Sequence, residues 1–113
     1  MKNSKRGGNM KELFTYDERL GISIPDLSRE WDEYTKSEQQ QILVQWENIR
    51  GNIPDRIKEL ESFINQKQLQ LSDESNFVLS CQLNSEIAEL ASIINDLWLW
   101  YRANQGVSEK MHN

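Results

Sequence analysis

Leu83, Ile87, Leu90, Ile94, Leu97 and Tyr101 follow one another at intervals that alternate between four and three residues. That spacing places all six on one side of an α-helix. It predicts a helix that starts after the polar stretch Ser72–Asn76 and runs to about Asn104, with Gly106 as its stop. The helix closes on Trp98-Leu99-Trp100-Tyr101, four large side chains in successive positions. A helix advances about 100° per residue, so these four point almost all the way round its axis. One partner helix does not cover them.

A second stripe precedes the first. Ile42, Trp46, Ile49, Ile53, Ile57, Leu60 and Ile64 again advance by four or three. The stripe passes through Gly51-Asn52-Ile53-Pro54, where glycine and an X-Pro pair taken locally say that one helix stops and another begins. A loop has no reason to preserve helical phase. The pattern therefore favours one long helix over about 38–71, kinked at Pro54, with two separate helices as the alternative.

Ser72-Asp73-Glu74-Ser75-Asn76 is the expected turn, with Ser72 as a cap and the two acids at the positive end of the following helix. If the long helices fold back antiparallel, facing residue numbers add to a constant. A constant of 147 pairs Ile64 with Leu83, Leu60 with Ile87, Ile57 with Leu90 and Ile53 with Ile94, and brings Ile49 to Leu97 or Trp98 and Trp46 to Tyr101. In that register Lys67 faces Ser80. Its stem then covers apolar surface while its amine reaches water, or the two make a polar layer that sets the register.

The N-terminal third is less regular. Lys11–Leu20 carries Leu13, Phe14, Tyr16 and Leu20 and is expected to form a short helix ended by Gly21, with Ile22–Ile24 extended before Pro25. Ser23-Ile24-Pro25-Asp26 and Asn52-Ile53-Pro54-Asp55 share one helix-start signal, a proline in the first turn beside a capping residue and an aspartate. The first copy predicts a helix from Pro25 to about Thr35 with Leu27, Trp31 and Tyr34 on one side. Ser37-Glu38-Gln39-Gln40 reads as a capping box for the next helix.

The expected fold is therefore all-α: an antiparallel helical hairpin, its first helix kinked or broken near Pro54, plus a short N-terminal helix. It would form a three-helix bundle or, by pairing of two hairpins, a dimeric four-helix bundle. Residues 1–10 are expected to be a disordered basic tail, 11–105 one helical domain and 106–113 a frayed tail.

Composition narrows the chemistry. Among 113 residues, 27% are charged and the net charge is −5, while Lys2, Lys5, Arg6 and Lys11 all precede Glu12. An acidic body is a poor platform for phosphates, which leaves nucleic acid only a weak contact through the basic tail. No stretch reads as a secretory leader or as an apolar run long enough to span a bilayer, so the expected compartment is the cytoplasm. His112 is the sole histidine and Cys81 the sole cysteine. Neither a histidine general base nor a histidine metal site can be assembled, and Cys81 is expected to be a small core residue. Glu86 and Glu89 lack the Glu-x-x-His motif of carboxylate di-metal bundles. No catalytic, metal or cofactor residues are assigned.

Leu71, Phe77, Leu79-Ser80-Cys81-Gln82-Leu83-Asn84 and Ile87 together resemble the turn and second helix of the small hairpin phosphatases that act on sporulation response regulators. The resemblance covers under a fifth of the chain. It implies a hairpin that acts on a phosphorylated response regulator, and Asn84 stands where that family has its functional aspartate. The leading expectation is instead a non-enzymatic interaction module, a self-associating regulator or adaptor, with Trp98, Leu99, Trp100 and Tyr101 as contact residues and Trp46 or Trp31 as neighbours. Tryptophan and tyrosine are the usual anchors of binding hot spots.

Overall fold

A computed structural model describes residues 13–112, with side chains from 13 to 103. The proposed basic tail, 1–10, lies outside the described residues. The chain is mostly helical and divides into two compact units. Among the described residues, one takes in the chain from Leu13 to Gly51 and the end of the last helix from Ala103; the other is Asn52–Arg102.

The first unit begins with a β-hairpin where a helix was expected. Strands β1 (Phe14–Asp17) and β2 (Ile22–Pro25) pair antiparallel, Phe14 opposite Pro25 and Asp17 opposite Ile22. Phe14-Thr15-Tyr16 is an aromatic and β-branched run, which suits a pleated strand better than a helix. The turn is chemically specified. The Asp17 carboxylate accepts the Leu20 N–H at 2.9 Å, and the Asp17 carbonyl accepts that of Gly21 at 2.7 Å. Gly21 has φ 78°, a left-handed conformation that glycine adopts without a Cβ clash.

The helix expected from Pro25 to Thr35 is also absent. Pro25 ends β2, at the strand end where its missing N–H costs no ladder bond. Asp26, read as a capping acid, instead extends the sheet. Its N–H donates to the Leu13 carbonyl at 2.8 Å and its carboxylate accepts the Thr15 hydroxyl at 2.9 Å. Only a 3₁₀ turn, Trp31–Glu33, forms here. Buried Tyr34 follows it. The Arg29 guanidinium lies 4.4 Å from the Tyr34 ring centre, and the Arg29 N–H donates to the Tyr34 hydroxyl at 3.3 Å.

Helix α1 (Lys36–Gly51) starts from a reciprocal capping box, two residues before the one expected at Ser37. The Thr35 hydroxyl accepts the Glu38 N–H at 3.1 Å and the Glu38 carboxylate accepts the Thr35 N–H at 2.9 Å. Gln39 ties the helix back to the 3₁₀ turn through Nε2 and the Trp31 carbonyl, 2.8 Å apart. β2 packs against α1, and the buried apolar residues of this unit are Leu20, Ile22, Tyr34, Ile42 and Trp46.

The second unit is the hairpin. Helix α2 (Ile53–Asp73) begins one residue after α1 ends, and Asn52 between them keeps near-helical angles, φ −92° and ψ −7°. The backbone break at Gly51–Pro54 is thus a single residue, which is why the apolar stripe holds its phase across it. Pro54 falls in the first turn of α2, where an N–H would have had no helical partner.

Helix α3 (Phe77–His112) continues through Gly106, where a stop was expected. Its cap is Asn76, not Ser72: the Asn76 side-chain oxygen accepts the Leu79 N–H at 3.1 Å, and Ser72–Asp73 still belong to α2. The later start of α3 moves the hairpin register. Asp73 and Phe77 bracket the turn and add to 150. The same constant pairs the buried residues Ile53 with Leu97 and Ile57 with Ile93. Lys67 then lies opposite Leu83 and reaches Glu86, Nζ to Oε1 2.8 Å. The observed partner of Lys67 is thus Glu86, in place of the Ser80 expected from the constant of 147.

Burial falls along the hairpin. Ile53, Ile57, Leu60, Ile93 and Leu97 are buried, Ile64, Leu83, Ile87, Leu90 and Ile94 are half-buried, and the turn end is open. Two helices alone cannot enclose apolar side chains on more than their facing stripes.

Candidate interaction surfaces

The turn end of the hairpin presents large apolar side chains to solvent. Phe77 is 79% exposed, Val78 71%, Leu69 70% and Leu79 45%. They occupy the first turn of α3 and the last turns of α2. An open groove of about 380 Å³ runs between these helix ends, with Leu79 and Leu83 as its apolar lining and Gln70, Gln82 and Glu74 as its polar lining.

The turn beneath is held by its own hydrogen bonds. The Glu74 N–H donates to the Leu71 carbonyl at 3.1 Å, the Glu74 carboxylate accepts the Asn76 N–H at 3.1 Å, and the Ser72 hydroxyl donates to the Leu69 carbonyl at 2.9 Å. One turn further in, Glu86 accepts from Lys67 and from Gln82 Nε2 at 3.2 Å. The Lys67 hydrogen bond, then the Gln82 one, holds the Glu86 carboxyl below its ordinary value of 4.5.

The aromatic run divides. Leu99 is 51% exposed and Trp98 38%, while Trp100 and Tyr101 are half-buried. Trp98 and Tyr101 meet edge to face, ring centres 5.5 Å apart. Trp46 is buried, and half-buried Trp31 stacks at a tilt on Tyr34 with ring centres 6.4 Å apart. Trp46 thus offers no contact surface of its own. The sequence reading missed Phe77-Val78-Leu79. Its signal was an unbroken apolar triplet before the periodic stripe begins.

Cys81, expected in the core, is exposed on the outer side of α3. Ser80 is half-buried and Asn84 exposed. Among the described residues no group of three or more His, Cys, Asp or Glu is placed to hold a metal ion. Phe77–Ala103 is long and apolar enough, by length and composition, to cross a membrane, although no continuous apolar run was apparent in the sequence. Glu86, Glu89 and Asp96 lie within it. Comparison with protein-family models, curated proteins and solved structures finds no match to this chain.

Proposed function

We propose that the chain is a small non-enzymatic protein–protein interaction module, a regulator or adaptor that works by self-association or by contact with another protein. The observation that carries this reading is the open turn end of the hairpin. Phe77, Val78 and Leu79 are consecutive core-type side chains in the first turn of α3, and with Leu69 in the last turns of α2 they are 45–79% exposed. Large apolar side chains exposed in one stretch of a helix mark interaction sites. Trp98 and Leu99, 38% and 51% exposed, form a second exposed apolar pair further along α3. A membrane-spanning reading of α3 is disfavoured by Glu86, Glu89 and Asp96, because a charged side chain near a bilayer centre costs about 2.5–3.5 kcal/mol by insertion scales. The cytoplasm remains the proposed compartment.

The test is the double substitution Phe77→Ser/Val78→Ser. Both side chains are already in water, so the isolated fold should keep its helicity and its denaturation midpoint, while association measured by light scattering or partner capture should fall. Unchanged association would remove the turn end from the reading. A collapse in stability would return these residues to the core.

A further inference from the structure

The outer face of α3, away from α2, carries a symmetry of its own. Val78, Cys81, Ser85, Ala88, Ser92, Asn95 and Leu99 advance by three or four, so they form one column along the helix, and all seven are exposed. The column is large, small, small, small, small, small, large, and it reads nearly the same from either end: Val with Leu, Cys with Asn, Ser with Ser, and Ala88 at the centre. A neighbouring column, Phe77, Asn84, Ala91 and Trp98, is also exposed throughout and has the same pattern, aromatic at both ends and small between. None of these eleven residues is charged, in a chain of which 27% is. At surface frequencies about three charges would be expected there. The α3 acids, Glu86, Glu89 and Asp96, all fall on other columns.

We infer that this face binds a second copy of the chain, α3 against α3, antiparallel about a two-fold axis at Ala88. The inference deepens the proposed function and rests on its reading that exposed apolar surface on this hairpin is contact surface. A two-fold interface uses the same patch on both copies, so residue i meets j and j meets i. A palindromic column satisfies that condition only when the helices run in opposite directions. Val78 then meets the partner copy's Leu99, Phe77 its Trp98, Cys81 its Asn95 and Ser85 its Ser92. A parallel pair would instead set Val78 on Val78 and Leu99 on Leu99, and would leave Phe77 and Trp98 without each other. The small central residues let the two backbones approach closely, and the large ends close the interface against water. From Val78 to Leu99 the face is about 32 Å long at 1.5 Å per residue, the length of a three-heptad helix pair. The assembled state is a dimer of hairpins with four helices side by side.

The test uses cysteine cross-linking of the full chain with diamide as oxidant. In the double variant Cys81→Ser/Ala88→Cys the introduced thiols of the two copies meet at the axis, and a covalent dimer should form rapidly. In the unaltered chain the two Cys81 thiols are about 21 Å apart along the helices, and cross-linking should be at least tenfold slower. Asn95→Cys with Cys81 intact should restore the fast rate. Fast cross-linking of the unaltered chain with none in the double variant would overturn the antiparallel pairing. A dimeric mass by light scattering without cross-linking of the double variant would also overturn it, and would leave the proposed self-association standing. Ala88→Arg, at an exposed position, should keep the helical circular dichroism and give a monomeric mass; an undiminished dimer would place the interface elsewhere.

Discussion

Leu60 and Leu69 are nine residues apart on α2 and provide a direct test of the hairpin's burial gradient. Leu60 is 2% exposed, whereas Leu69 is 70% exposed. Truncating leucine to alanine removes the equivalent of about three methylenes, worth about 0.8 kcal/mol each when fully buried. At Leu60 this gives about 2.4 kcal/mol, and a partly relaxed cavity raises the loss to about 3 kcal/mol. At Leu69 less than a third of the side chain leaves water on folding, so the same arithmetic gives about 0.7 kcal/mol. No cavity forms there, and the slightly higher helix propensity of alanine reduces the loss to about 0.5 kcal/mol. Urea denaturation followed by circular dichroism at 222 nm should show Leu60→Ala less stable than Leu69→Ala by about 2.5 kcal/mol. The comparison should be made at low micromolar protein and repeated tenfold more concentrated. Equal losses at the lower concentration would refute the gradient. A Leu69→Ala loss that grows with concentration would show instead that this residue becomes covered in an assembly.

Three further outcomes follow from named contacts. Glu86 is held below its ordinary carboxyl value of 4.5 by Lys67 and Gln82, so its contribution is fully present above that value and is lost as pH falls through the lowered one. Urea titrations on the acid side should therefore show Glu86→Gln losing less stability between pH 5 and pH 3 than the unaltered chain; parallel pH profiles would contradict the pairing. Thr35→Ala removes one half of the α1 capping box and should cost about 1 kcal/mol, whereas Ser37→Ala should be nearly neutral; the reverse order would restore the cap expected at Ser37. Gly51→Ala should raise the thermal midpoint by a few degrees. Gly51 is helical without a positive φ, and a Cβ there meets nothing within 4 Å, so alanine should stabilise by about 0.5–1 kcal/mol. A lower midpoint would mean that the glycine is needed for the break at Asn52.

What was legible in the sequence follows the length over which a signal repeats. The two apolar stripes span several turns each, and their phase specified the long helices and a local interruption near Pro54, which the structure places at Asn52. The N-terminal strands are four residues each, too short for a period to establish itself. There a proline and an aspartate that resemble a helix start were used at a strand end, because Asp26 had a sheet partner in Leu13 and Thr15. The register of 147 was set by matching the two apolar stripes, beginning with Ile64 and Leu83, and that pattern did not specify that Lys67 would reach Glu86 or that Asn76 would cap α3. Leu99 was legible as an exposed residue because helical spacing puts it on the side occupied by Ser85, Ser92 and Asp96. Phe77, Val78 and Leu79 were not, since apolar identity ordinarily reads as core and only the position of the turn put them outside it.

The hydrogen bonds within Ser72–Leu79 bear on the energetics of binding. A loop that presents apolar groups usually has to be immobilised by its partner, at an entropic cost of about 0.5–1.5 kcal/mol for each ordered side chain and more for the backbone. Here the backbone beneath Phe77 and Leu79 is already tied by Glu74, Asn76 and Ser72, two of them through side chains that bridge the turn itself. The surface is preorganised. On the proposed interaction reading, loosening it with Asn76→Gly, which removes the Leu79 N–H bond, would leave every apolar group in place and still weaken association.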